Sequence, residues 1–103
     1  MSTPAKSSMT LPPKVARVIE KLGSDLLLAR KRRKESLRSW SARIGVSVPT
    51  LRRMEAGDPN VGISAYATAL WLIGRSHGLE IIADPAFDGE ALTIEMSNIL
   101  KAK

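Results

Sequence analysis

The chain has 103 residues, with 16 lysines and arginines against ten acidic residues, and it contains no cysteine. A chain of this length forms one domain with a single modest core. Without cysteine, disulfides and thiolate metal sites are excluded, and no apolar run approaches the ~20 residues of a membrane-spanning helix. We therefore expect a cytoplasmic protein that does not enter membranes and carries no metal or other cofactor.

The basic residues are concentrated in the first half of the sequence. Residues 1–56 contain 13 Lys or Arg and four Asp or Glu, a net charge of +9, whereas residues 57–103 contain three and six, a net charge of −3. Each cation that neutralises a phosphate releases condensed counterions, so a polycationic half is suited to nucleic acid. The charge therefore favours a nucleic-acid partner over a basic surface that is merely solvated.

The sequence up to the basic block predicts a tail and a first helix. Residues 1–10 are rich in Ser, Thr and Pro without periodicity, which predicts a disordered tail. A helix begins at Pro12-Pro13, since proline is tolerated in a first turn, and it ends in the basic block 30–34. Its apolar face consists of residues at helical spacing, namely Val15, Ile19, Leu22, Leu26 and Ala29. Gly23-Ser24 leaves two possibilities open, a fresh helix capped by Ser24 or one helix that passes through Gly23.

Two short helices follow the basic block. Ser36 caps a helix over residues 37–44, and Gly45 ends it because glycine adopts a positive φ at little cost. Ser47 caps a second helix over residues 48–56, which another glycine ends. Two short capped helices joined by a three-residue turn with glycine at its start have the layout of a helix-turn-helix.

The second half of the chain predicts a loop, a helix, a short strand and a last helix. Residues 58–62 form a loop by their turn chemistry, and Ser64 caps a helix over residues 65–75. The run LEIIA at Leu79–Ala83 predicts a strand, because turn-forming residues bound it on both sides. Apolar residues at helical spacing predict a final helix over residues 90–101.

Residues 28–74 resemble the lambda-repressor-like, or Xre-type, helix-turn-helix family, and the stretch SARIGVSVPTLRRMEAG at residues 41–57 carries the match. The loop 58–64 and the stretch 79–85 are similar to the HipB-like antitoxin branch, whose members are encoded beside a HipA-like kinase toxin. The resemblance implies an all-α fold, a five-helix lambda-repressor-like DNA-binding domain with a short C-terminal strand for dimerisation and a terminal helix.

The resemblance also implies which side chains contact DNA. The helix 48–55 would enter the major groove. Its base-reading residues would be Val48, Pro49, Thr50, Arg52 and Arg53. An arginine at position 53 suits guanine, whose O6 and N7 accept hydrogen bonds from its fork. Phosphates would be held by residues at helix starts and in the loop, namely Ser36, Arg38, Ser47 and Asn60.

Two further expectations concern how the domain is held together and how it pairs. The resemblance places Arg30 and Glu55 together as a partly buried ion pair that ties the first helix to the third. The predicted strand has no partner within the chain, so we expect it to pair with its own copy across a twofold axis. The pairing residues would be Leu79, Glu80, Ile81, Ile82 and Ala83. Such a dimer presents two recognition helices ~34 Å apart and favours a palindromic operator.

Other side chains indicate packing rather than chemistry. Trp40 and Trp71 are expected in the core or in an interface, and His77 has no histidine or cysteine partner for a metal. No nucleophile–base–acid set and no glycine-rich phosphate loop is present, so catalysis is not expected.

Three hypotheses for function remain. The first is a bacterial homodimeric repressor, the antitoxin of a HipA-like toxin, that binds its own operon in the nucleoid. In this hypothesis residues 11–76 bind DNA, and residues 77–103 dimerise and bind the toxin. The second is a stand-alone or phage-type repressor of the same fold without a toxin. The third is a helical adaptor whose basic face binds protein or RNA.

Overall fold

The computed structural model describes residues 10–102, and the regular structure in this range is helical throughout. Its elements are α1 (Pro13–Arg32), α2 (Leu37–Ile44), α3 (Val48–Glu55), α4 (Ile63–Leu72), α5 (His77–Ile81), a 3-10 turn (Pro85–Phe87) and α6 (Gly89–Lys101). The predicted all-α class is confirmed. The tail predicted over residues 1–10 lies, except for Thr10, outside the described residues.

The core lies among the first four helices. Helix α3 packs against α1 and α2, and α2 also packs against α4. The largest fully buried side chains are Trp40 of α2 and Leu51 and Met54 of α3. The other buried apolar residues are Leu26, Ile44, Val61, Ala65, Tyr66 and Ala69. Because α3 contributes such deeply buried side chains, its position in the domain is set by the core.

Helix α1 passes through Gly23 without a break, which decides between the two possibilities that the sequence leaves open. A Cβ atom at Gly23 would lie 2.5 Å from the carbonyl oxygen of Met54 and 2.7 Å from the nitrogen of Gly57. A Cβ atom at Gly57, which has a φ of 79°, would lie 2.5 Å from the Cα of Glu20. The two glycines therefore allow α1 to cross the end of α3 with the two backbones in direct contact.

The predicted caps of the two short helices are formed. The Ser36 side chain accepts a hydrogen bond from the amide of Ser39, and the Ser47 side chain accepts one from the amide of Thr50. Gly45 between the two helices adopts a φ of 86°, in the left-handed region that glycine tolerates. The helix-turn-helix geometry between α2 and α3 therefore follows from interactions within a few residues.

Helix α4 differs from the prediction at both ends. It begins at Ile63, two residues early, because Gly62 in an extended conformation precedes it instead of Ser64. It ends at Leu72, three residues early, because Gly74 adopts a φ of 73° and turns the chain.

The predicted strand Leu79–Ala83 is wrong. The structure has helix α5 over His77–Ile81, followed by a turn. The amide of Leu79 donates to the carbonyl oxygen of Ser76 at 2.9 Å. A strand without a partner in the same chain would leave its backbone groups unbonded, whereas local helical hydrogen bonds satisfy them. Pairing between copies through this strand therefore loses its basis.

Helices α5 and α6 contain no buried residue. Helix α6 begins one residue before the predicted start, where the Asp88 carboxylate accepts a hydrogen bond from the amide of Ala91 at 3.0 Å.

Trp71, at the end of α4, has an exposed fraction of 65%, against 2% for Trp40. The radius of gyration of 18.1 Å exceeds the ~13 Å of a compact domain of this length. The C-terminal part therefore adds little to the core.

Candidate nucleic-acid interface

The outer face of α3 presents most of the residues predicted to read bases. Three of them are exposed and two are half-buried. The exposed ones are Pro49, Arg52 and Arg53, and the half-buried ones are Val48 and Thr50. On the opposite face Leu51, Met54 and Glu55 are buried. Since every inward position of α3 is occupied by packing, its outer face is the only part open to a partner.

The first turn of α3 is tied internally. The Ser47 hydroxyl donates to Thr50 Oγ1 at 3.0 Å, and Ser47 Oγ accepts from the Thr50 amide at 3.2 Å. Pro49 has no amide hydrogen to offer. The Thr50 hydroxyl oxygen thus already accepts a hydrogen bond within the chain. The two arginines supply most of the hydrogen-bond donors on this face.

The first turn of α2 has the same kind of serine cap as α3, with an arginine and a carboxylate beside it, since the Ser39 hydroxyl donates to Glu35 Oε1 at 2.7 Å. Ser36 Oγ accepts a hydrogen bond from the amide of Ser39 at 3.0 Å. The amides of Leu37 and Arg38 precede the first helical hydrogen bond and have no partner within the helix. They add to the positive end of the helix dipole, and the Arg38 side chain is exposed beside them. The predicted phosphate residues Ser36 and Arg38 are therefore brought together at one helix start.

Arg53 has a carboxylate beside it that sequence reasoning missed. Arg53 Nε donates to Oδ2 of Asp58 at 3.1 Å, and the amide of Asn60 donates to Oδ1 of the same carboxylate at 2.8 Å. The Asn60 side chain, predicted to hold a phosphate, is exposed. A signal was present in the sequence, because Asp58 follows the glycine that ends the helix, five positions after Arg53.

The structure joins Arg30 and Glu55, which are 25 positions apart. Arg30 Nε and Nη2 donate to Glu55 Oε2 and Oε1 at 2.8 and 3.0 Å, and the side chains are only 9% and 4% exposed. Arg30 Nη1 also donates to the carbonyl oxygen of Glu35 at 2.9 Å. The hydrogen bonds to Glu55 raise the pKa of the Arg30 guanidinium above its usual value. This first residue of the basic block therefore faces inward and links α1 to α3.

Several other cations in the described part of the chain are open to phosphate. Lys31 and Arg52 line one shallow depression that Arg30 and Glu55 also line. In the described part of the chain, no carboxylate oxygen lies within 4 Å of the exposed side chains that we call the unpaired cations. These are Lys31, Arg32, Arg33, Lys34, Arg38 and Arg52. Arg43, by contrast, is paired with Glu35 at 3.2 Å and lies over the ring of Trp40.

Within residues 10–102, no group of three or more His, Asp or Glu side chains is arranged to hold a metal ion. No helix in the same range is long and apolar enough to cross a membrane.

Comparison with known proteins identifies no relative of this chain. No family model matches it, and neither a curated protein nor a solved structure does.

Proposed function

We propose that this chain is a sequence-specific double-stranded DNA-binding protein that inserts α3 into the major groove and represses transcription. The observation that carries the proposal is a short helix with Arg52 and Arg53 on its open face and its other face locked into the core. A major groove ~12 Å wide admits an α-helix. The unpaired cations supply the charge that contacts with phosphates require.

The parts of the interface have different roles in this proposal. Arg53 donates to a guanine edge, and Thr50 with the apolar Val48 and Pro49 makes the remaining contacts in the groove. Arg52, Arg38 and the first turn of α2 hold phosphates, as do Ser47 and Asn60. Most of the affinity then comes from contacts with the DNA backbone, and few side chains are left to read bases.

Binding to duplex DNA tests the proposal directly. The purified protein is titrated onto DNA from upstream of its own gene and onto shuffled DNA of equal length, with fluorescence anisotropy as the readout at several salt concentrations. We expect tighter binding to the upstream DNA. We also expect Arg52→Ala to reduce the salt slope by about one, as the loss of one phosphate contact requires. Arg75→Ala, an exposed arginine in the acidic half, is the matched control.

Equal affinity for the upstream and shuffled DNA would contradict sequence-specific binding. If structured RNA displaced the DNA at equimolar concentration, the adaptor hypothesis would be favoured instead.

We further propose that the active form is a homodimer. Helix α6 carries an apolar stripe of four exposed residues spaced to share one face, which are Leu92, Met96, Ile99 and Leu100. A solvent-exposed stripe of this kind is typical of an interface. A twofold dimer would present two copies of α3, and copies one DNA turn apart, ~34 Å, read a palindromic operator.

The finer proposal is that the repressor is the antitoxin of a HipA-like kinase toxin and regulates its own operon. Its support is the resemblance of residues 58–64, together with the net charge of −3 on residues 57–103. Co-expression with the neighbouring reading frame tests it. A stable complex with a kinase-like protein is expected, and a neighbouring frame that encodes no such protein would favour the stand-alone repressor.

A further inference from the structure

Arg53 on the open face of α3 is not a free arginine. Its Nε donates to Asp58 Oδ2 at 3.1 Å, while 51% of the arginine side chain and 28% of the aspartate side chain remain exposed. The two residues lie on either side of the end of α3, so the guanidinium is held from the direction of the loop.

Asp58 itself is fixed from three directions. Its second carboxylate oxygen accepts the Asn60 amide at 2.8 Å, and its own amide donates to the Arg53 carbonyl oxygen at 2.9 Å. The hydroxyl of the buried Tyr66 donates to the Asp58 carbonyl oxygen at 2.9 Å. An aspartate held in this way has a fixed carboxylate, so its hydrogen bond favours one orientation of the Arg53 side chain over the many rotamers otherwise open to it.

The bond through Nε leaves the outer edge of the guanidinium open. An arginine has five donor hydrogens, and the four on Nη1 and Nη2 form a planar fork. A fork of this kind matches the O6 and N7 acceptors of guanine in the major groove. Ordering a long side chain before binding also removes part of the entropy loss that binding would otherwise incur.

The carboxylate changes what Arg53 is suited to bind. An adjacent negative charge cancels much of the long-range attraction of the guanidinium for phosphate, but it does not alter the direction of the remaining N–H groups. Arg52 on the same helix has no such carboxylate beside it, because it is one of the unpaired cations. The neighbouring arginines therefore differ, Arg52 being suited to phosphate and Arg53 to a base edge.

We infer that Asp58 is a positioning residue for base recognition, which holds Arg53 so that its outer edge meets guanine. This inference rests on the proposed DNA-binding function and adds to it a residue that determines specificity without touching the base. It predicts that the loss of Asp58 lowers sequence preference at one base pair more than it lowers affinity for DNA in general.

Selection from a pool of randomised DNA duplexes tests the inference. Wild type, Asp58→Asn and Arg53→Lys are each selected against the pool, and affinities for the enriched and unselected duplexes are then measured. Asparagine keeps an oxygen for the Asn60 amide but cannot accept a hydrogen bond from Arg53 through its amide nitrogen. Asp25→Asn is the matched control, because it removes the same charge from an exposed ion pair with Lys21 on α1.

We expect wild type to enrich a site with a required guanine. Asp58→Asn should lose about tenfold in discrimination at that base pair, within the range of one bidentate contact. Its affinity for unselected duplexes should be equal or higher, since a negative charge near the phosphates is removed. Arg53→Lys should lose preference at the same base pair, and Asp25→Asn should keep the wild-type preference.

The outcomes separate the inference from the proposed function. If wild type enriched no sequence, the proposed function itself would fail. If Asp58→Asn kept the wild-type discrimination at every position, or lost affinity equally for all duplexes, Asp58 would not be a positioning residue for base recognition. Circular dichroism checks folding. If Asp58→Asn is unfolded, Asp58→Ser replaces it in the same selection, because its hydroxyl can accept the Asn60 amide without holding Arg53.

Discussion

The guanidinium of Arg30 in α1 binds the carboxylate of Glu55, the last residue of α3, through two hydrogen bonds of 2.8 and 3.0 Å. A third bond from the same guanidinium, 2.9 Å long, reaches the carbonyl oxygen of Glu35 in the turn before α2. One buried side chain thus joins α1, α3 and the turn before α2. The presentation of α3 to a partner depends on this link.

Removal of one partner of this pair should destabilise the fold strongly. Glu55→Ala leaves the Arg30 charge buried without its carboxylate, which costs about 3–5 kcal/mol. Urea denaturation followed by circular dichroism measures the free energy of unfolding. Asp25→Ala breaks the exposed Lys21–Asp25 pair and serves as the control, since exposed ion pairs contribute little. Similar small losses in both variants would show that the buried pair does not hold α3.

Gly23→Ala should destabilise the protein, although alanine normally favours a helix. The added methyl group would meet the backbone of Met54 and Gly57 and force α1 away from α3, at a cost of about 1–3 kcal/mol. Gly78→Ala in α5 is the matched control, because a Cβ there meets no atom within 4 Å. The control should be neutral or slightly stabilising. Thermal unfolding compares the two, and a stabilised Gly23→Ala would contradict the backbone contact.

The ionisation of Tyr66 should report on the folded state. Burial raises the pKa of Tyr66 above its ordinary value of 10, and the charge of Asp58 adds to the effect. Because the folded pKa lies above the unfolded pKa, this contribution to stability is complete below pH ~10 and is lost as the pH rises through the folded pKa. Phenolate absorbance measures the pKa of Tyr66 directly, since the chain has one tyrosine.

The same titration in concentrated urea is the control for Tyr66, and there the pKa should return to ~10. Identical titration curves with and without urea would mean that the Tyr66 hydroxyl is not buried beside Asp58 in solution.

The apolar stripe of α6 should determine the oligomeric state. Leu100→Glu places a charge within the stripe and is expected to convert the proposed dimer to monomer, as measured by light scattering at micromolar concentration. Ile94→Glu is the matched control, because Ile94 is similarly exposed but lies on the opposite side of α6. A monomeric wild type, or equal dissociation by both variants, would contradict dimerisation through this stripe.

The sequence by itself determined the parts of this protein that depend on neighbours in the chain. Ser36, Gly45 and Ser47 predict both short helices and the turn between them, because a cap and a left-handed glycine act within three or four residues. The start of α6 was predicted to within one residue for a similar reason, since its apolar spacing is local.

Only the tertiary structure decided the features that join distant segments. Helix α1 passes through Gly23 with the backbone of Met54 and Gly57, at the end of α3, packed against it. Local propensity does not predict such contacts, because their free energy arises when packing brings the two groups together.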